Sequence, residues 1–201
     1  MSQKYTLNVQ NNSRNFGNIC VYQTIPDIDD PTLMSLAWFS EAAHPTTHVQ
    51  FSWSIDYAFI WDETGPLVPG VVFEASQTWP AGLTSDNSVT LTSAQSALTF
   101  KQKTTSGHAG TLYVHNDATV PFDTASVGVA MSGAGTFVKP AQPNRTYNFT
   151  PHPEYWVTFG DYEVGEVLDI GAITNAQKIA FSPNVYNVNV TLNENNTWSI
   201  K

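Results

Sequence analysis

Val49-Gln50-Phe51-Ser52-Trp53-Ser54-Ile55-Asp56-Tyr57-Ala58-Phe59-Ile60-Trp61 alternates without a slip: every odd position is large and apolar. The positions between are mostly small or polar. Strand side chains point to opposite faces with a period of two, so one face of this ribbon is a continuous apolar stripe. At about 3.3 Å per residue it would reach roughly 43 Å, more than a single strand usually spans. It is therefore one long bent strand or two strands bridged near Asp56. Either way the chain is built from sheet.

Short β-like runs recur on both sides of it, each bounded by Gly, Pro, Asn or Asp. Upstream, residues 5–9 and 18–23 flank the polar turn Asn11-Asn12-Ser13-Arg14-Asn15. Residues 33–39 read as a strand buried on both sides, although Asp30-Pro31 is also a helix-cap signal. Downstream, runs are expected at 67–73, 89–91, 97–101, 111–115, 126–131, 136–139, 146–150, 155–159, near Val167 and at 178–181. Ser132-Gly133-Ala134-Gly135 reads as a tight turn of small residues. Residues 174–178 add a helical turn. The chain closes on a hairpin in which Tyr186, Val188, Val190 and Leu192 alternate with polar residues before Trp198 and Ile200. Turn signals at this spacing predict two packed antiparallel sheets, an all-β sandwich spanning 1–201 as one domain, with a partly closed barrel as the alternative.

Of 201 residues, 17 are acidic and 8 basic, a net charge of −9. The bases are scattered, which argues against nucleic acid and against anionic membranes. Charged residues are 12% of the chain, and Thr, Ser, Asn and Gln supply the polarity instead. Such a surface self-associates, or takes a neutral polar ligand, at little cost in desolvated charge. Lys4 leads straight into a strand pattern, so no secretory leader is read there, and no stretch approaches the length of a membrane span. Cys20 is the only cysteine, which excludes an internal disulfide. A cytoplasmic location is expected, with release by a non-classical route left open. Five Asn-x-Ser/Thr sequons are read as chance in so Asn- and Thr-rich a chain.

Candidate sites are few. Asp27, Asp29 and Asp30 alternate in a loop as calcium ligands do, but no EF-hand spacing or glycine accompanies them, and a solvated turn is the expected reading. His44 and His48 stand four apart, yet Pro45 makes the helix of a zinc protease untenable; a loop with His48 on the polar face of the next strand is expected. Cys20 sits between Ile19 and Val21 and reads as a small core residue. No nucleophile elbow, phosphate loop or dinucleotide fingerprint occurs, so no cofactor is expected. The most distinctive hexapeptide is Pro151-His152-Pro153-Glu154-Tyr155-Trp156. Two prolines fix a backbone that presents an imidazole, an acid and two aromatics, which suits a sugar or small polar ligand. A rigid corner entering a core strand would give the same residues. Trp79-Pro80 carries the same ambiguity.

Several stretches resemble the RhiA family of rhizosphere-induced bacterial proteins: Cys20-Val21-Tyr22-Gln23-Thr24, Met34-Ser35-Leu36-Ala37-Trp38-Phe39, Ala43-His44-Pro45-Thr46-Thr47, Gly70-Val71-Val72-Phe73, Met131-Ser132-Gly133-Ala134-Gly135-Thr136-Phe137 and the hexapeptide at 151–156. They are spread over most of the chain. The resemblance implies a soluble bacterial protein associated with plant roots, and it carries no catalytic residues to transfer.

Three functions are therefore weighed. The first is a non-enzymatic interaction protein that assembles with itself into oligomers. The second is a carbohydrate or small-ligand module using Trp79, His152, Glu154, Tyr155 and Trp156. The third is a hydrolase working through an acid pair: Asp62 with Glu63, Glu154 with Asp161, or Glu163 with Glu166.

Overall fold

The computed structural model describes residues 3–25 and 30–201, and 54% of it is strand. Asp27 and Asp29 lie outside the described residues. No α-helix occurs among them; one 3-10 turn, Ile170–Ala172, is capped by Asp169. It stands just ahead of the helical turn expected at 174–178, where a strand runs instead.

Four sheets pack as two facing pairs. In the first pair, β1 (Lys4–Asn11), β5 (His48–Ser54), β16 (Asn187–Leu192) and β17 (Trp198–Ile200) form a sheet of order β17-β16-β1-β5. Its partner contains β2 (Gly17–Thr24), β4 (Ala37–Ala43), β14 (Glu154–Gly160) and β15 (Ala176–Ile179), in the order β15-β14-β2-β4. Leu7, Val9 and Val190 meet Ile19, Val21, Trp38 and Val157 between these sheets. The polar turn at 11–15 thus carries the chain from one sheet to the sheet facing it.

The second pair joins β3 (Met34–Ser35), β6 (Tyr57–Asp62), β7 (Gln77–Ala81), β11 (Ser126–Met131) and β12 (Ala134–Pro140), in the order β3-β12-β11-β6-β7. Facing it are β8 (Ser88–Ala94), β9 (Ala97–Thr104), β10 (Leu112–Asn116) and β13 (Arg145–Phe149), in the order β13-β10-β8-β9. Phe59, Val127 and Phe137 pack there against Leu91, Phe100, Val114 and Phe149. Leu67, Phe73 and Val167 cover the other face of the first of these sheets, against Leu36, Ile60, Ala130 and Val138. Buried on both sides, β11 reads as an unbroken apolar run. No sheet closes into a barrel, so the sandwich stands. Pairing is antiparallel apart from β1 with β16 and β8 with β10, which run parallel.

The opening ribbon is two strands, β5 and β6, in different sheets. Its break at Ile55-Asp56 is held by a distant partner. Asp56 Oδ1 accepts from the Ser132 amide at 2.8 Å, Asp56 Oδ2 accepts from Ser54 Oγ at 2.9 Å, and Ser132 Oγ accepts from the Ser54 amide at 3.3 Å. Ser132 and Gly133 adopt φ of 51° and 81°, as the two-residue turn of a hairpin with the right twist requires.

In place of the two antiparallel sheets expected there are four, with two parallel pairings, and two local expectations are also corrected. Residues 67–73 form a loop with a single bridge, Val72 to Glu166, because Pro69-Gly70 turns the chain and Gly70 takes φ 88°. Asp30-Pro31 starts no helix: Asp30 Oδ1 accepts from the Thr32 amide and hydroxyl at 2.9 and 2.6 Å, closing a turn. The strand reading of 33–39 holds, as β3 followed by β4.

Candidate functional site

At one end of the first sheet pair the two layers part into a groove of about 690 Å³. Four places in the chain bring aromatic rings to it. Tyr5 comes from the start of β1, Tyr57 from just past the ribbon's break, Tyr155 from the start of β14, and Phe181 from beyond β15. Phe181 meets Tyr5 and Tyr155 edge-on, with ring centroids 5.0 and 6.1 Å apart. Behind them Trp53 stacks on Tyr5 at 6.2 Å and contacts Tyr155 at 5.2 Å. Trp38 closes the floor against Trp53, its Nε1 donating to the Met131 carbonyl at 2.8 Å. Ile55 adds a half-exposed apolar edge, 48% accessible.

The rim is polar. Pro151 and Pro153 hold His152 exposed at the mouth, and Glu154 is ion-paired with Lys178 of β15. Burial pushes the Tyr57 phenol up to about 12, helped by neighbouring Tyr155. Burial also raises Tyr155, partly offset by the nearby Trp53 indole. Both hydroxyls are protonated near neutrality and are available to donate hydrogen bonds to a ligand. The Trp53 Nε1 itself is buried and has no hydrogen-bond partner among the described residues.

His152, Glu154 and Tyr155 therefore meet in one place, and the two tryptophans expected with them do not. The period of two that aims Tyr155 into the groove sends Trp156 to the opposite face of β14. There Trp156 stacks on Tyr22 at 6.4 Å and donates to Thr24 Oγ1 at 2.9 Å. Trp79 lies on β7 and packs against Phe100, 5.8 Å away, in the other sheet pair. Tyr5, Tyr57, Phe181 and Lys178 are invisible as site residues in the sequence because three separate strands and the segment after β15 deliver them. The one local signal was the aromatic character of Tyr5 and Tyr57 at strand starts.

The remaining candidates have structural occupations. Asp30 pairs with Lys139 at 2.8 Å. His44 stacks on Phe16 at 4.4 Å, and His48 opens β5 opposite Gln10. Cys20 is buried, and burial, followed by the Glu166 charge, pushes its thiol far above the usual range. Asp62 accepts from Thr64 and Ser76, while Glu166 Oε2 accepts from the Glu163 amide. Glu154 opens β14 and Asp161 follows its last residue, about 20 Å away at strand rise.

The RhiA family model matches residues 2–201. This chain belongs to the RhiA family. It is 35% identical to Protein RhiA of Rhizobium leguminosarum bv. viciae over 201 residues, covering 98% of this chain and 86% of that protein. No solved structure matches. The family stretches sort by place in the fold: 131–137 forms the β11–β12 hairpin that pins the ribbon's break, and 151–156 forms the groove's lip.

Proposed function

We propose that this RhiA-family chain is a non-enzymatic binding protein whose groove takes a neutral, hydroxyl-rich ligand of the saccharide class. The carrying observation is the ring of Tyr5, Tyr57, Tyr155 and Phe181 backed by Trp53, with His152 and the Glu154–Lys178 pair at its lip. Aromatic faces take the apolar side of a sugar ring, and rim donors and acceptors take its hydroxyls. Asp62, Glu154 and Glu166 are engaged with hydroxyl donors, a lysine and a backbone amide respectively, and Asp161 stands far from Glu154, which supports binding over hydrolysis. A cytoplasmic site of action and the root-linked setting that the resemblance implies belong to the same proposal.

The test is a titration with mono- and oligosaccharides followed by tryptophan fluorescence, since Trp53 stacks directly behind Tyr5. Saturable quenching or a spectral shift is expected, weakened about tenfold by Tyr57→Ala, which removes one stacking face. No response to any neutral sugar at about 10 mM, far above a weak-binding Kd, would refute it.

Self-association is the second reading. It is favoured by the outer face of β17-β16-β1-β5, which is lined by hydroxyls and amides and has no acidic side chain on its strands.

A further inference from the structure

Alternation fixes what this sheet shows to solvent. Tyr5, Leu7 and Val9 of β1 go inward, so Lys4, Thr6, Asn8 and Gln10 go outward. Their neighbours continue the pattern in register: Asn8 lies between Asn189 of β16 and Gln50 of β5. The amides bond to one another across the strands. Asn8 Nδ2 donates to Asn187 and Asn189 Oδ1 at 2.8 and 2.9 Å, and Gln50 Nε2 donates to Asn8 Oδ1 at 2.7 Å. No Asp or Glu occupies an outward position on these four strands. Among the described residues five of the eight bases are ion-paired. Two of the other three, Lys4 and Lys201, stand on this face.

The opposite side of the same sheet pair has the reverse charge. Tyr162 and Leu168 cover Cys20, Tyr22 and Ala37 on the outer side of β2 and β4. The covering stretch, residues 161–169, carries Asp161, Glu163, Glu166 and Asp169 and no base. Asp161, Glu163 and Asp169 are exposed. A face with two lysines and no acidic side chain on its strands thus stands back to back with an acidic one across one sandwich.

We infer that the Lys4–Lys201 face docks on the 161–169 surface of a second copy, head to tail. This rests on the self-association reading above. Because the two patches differ, the contact is heterologous, and each copy keeps one free face of each kind for further growth. Uncharged amides lose little on desolvation when they re-pair, while the lysines and carboxylates set orientation and make the contact salt-sensitive. Four strands about 4.8 Å apart, with about seven residues of roughly 3.3 Å rise, cover on the order of 400 Å². That is about half of a standard interface side, so a weak, concentration-dependent contact is expected.

Light scattering or sedimentation on the full chain from about 10 μM to about 1 mM spans the range in which such a contact reports. At low salt the average mass should climb with concentration past that of a dimer. At about 0.5 M salt, where the screening length is only a few ångströms, it should fall back. The double variant Lys4→Glu/Lys201→Glu should stay monomeric at low salt, as should Asp161→Lys/Glu163→Lys. Mixing the two variants should restore association, because the acidic patch of one meets the intact lysine face of the other. Circular dichroism matching the wild type verifies that both variants fold. Salt-sensitive association that survives in both variants would overturn this interface and leave self-association standing. A wild-type chain that stays monomeric throughout would overturn both.

Discussion

Replacing Trp38 with Phe tests whether the aromatic floor under the groove is also a main support of the first sheet pair. Trp38 is fully buried. Its Nε1 donates to the Met131 carbonyl at 2.8 Å, across from β4 to β11, and its ring lies 5.2 Å from Trp53 and 6.1 Å from Tyr155. Phe keeps one six-membered ring in place and removes the rest. The void of roughly 40 Å³ costs about 1 kcal/mol at ~24 cal/mol per Å³. Lost transfer of the removed carbons costs about 1 kcal/mol more. Leaving the carbonyl one partner short adds about 1 kcal/mol, the low end for a buried acceptor with two lone pairs. The sum is about 3 kcal/mol. With a urea dependence of about 2 kcal/mol/M, the unfolding midpoint should drop by about 1.5 M, read by far-UV circular dichroism. A drop below about 0.4 M, worth less than 1 kcal/mol, would show that the pocket closes around the smaller ring and that the bond to Met131 contributes little.

Two glycines should respond differently. A Cβ on Gly128 would lie 2.1 Å from the Phe137 carbonyl oxygen, which β-pairing holds in place, whereas one on Gly135 would meet the movable tips of Leu36 and Ile60 at 2.9 and 3.2 Å. Gly128→Ala should cost about 3 kcal/mol or more and Gly135→Ala about 1 in the same urea assay; equal costs would refute the backbone argument. In acid, the hydrogen bond and charge of Lys139, then the Thr32 donors, hold Asp30 down to about 2. Its folded pKa lies below the unfolded value of about 4, so its stabilisation is present above that pH and disappears as pH falls through about 2. Asp30→Asn should flatten stability across that window. In alkali the sign reverses: burial pushes Tyr57 up to about 12, so the folded chain keeps a proton the unfolded chain loses. Stability should fall as pH rises from about 10 through about 12, and Tyr57→Phe should remove one late phenol from the spectrophotometric titration.

The ribbon at 49–61 announced both β5 and β6 because alternation is a local property. What divides them between two sheets is Asp56 bonded to Ser132, a partner 76 residues away that no local pattern reveals. Residues 67–73 misled because an apolar run covering a sheet with its side chains resembles a run that joins one. The reverse happened at 77–81, where Pro80 hid a strand. Proline is tolerated there because β7 lies at a sheet edge. In the groove, the rigid lip at 151–155 was legible from its prolines. The rings facing it were not, since their convergence is a product of topology. Trp156 faces away from the groove, as the period of two that separates it from Tyr155 requires.

The parallel pairing of β1 with β16 sets Leu7 beside Val188 and Val9 beside Val190, joining strands that lie far apart in the sequence. During synthesis β5 is made long before β16, so one flank of β1 stays bare until β16 follows. Folding dominated by so distant a closure runs in milliseconds to seconds, slower than local hairpins. A truncated product lacking residues 186–201 would keep a naked, hydrogen-bond-hungry margin beside Leu7 and Val9, a ready template for aggregation. The margin of β1 is thus shielded from intermolecular pairing only once β16 is in place.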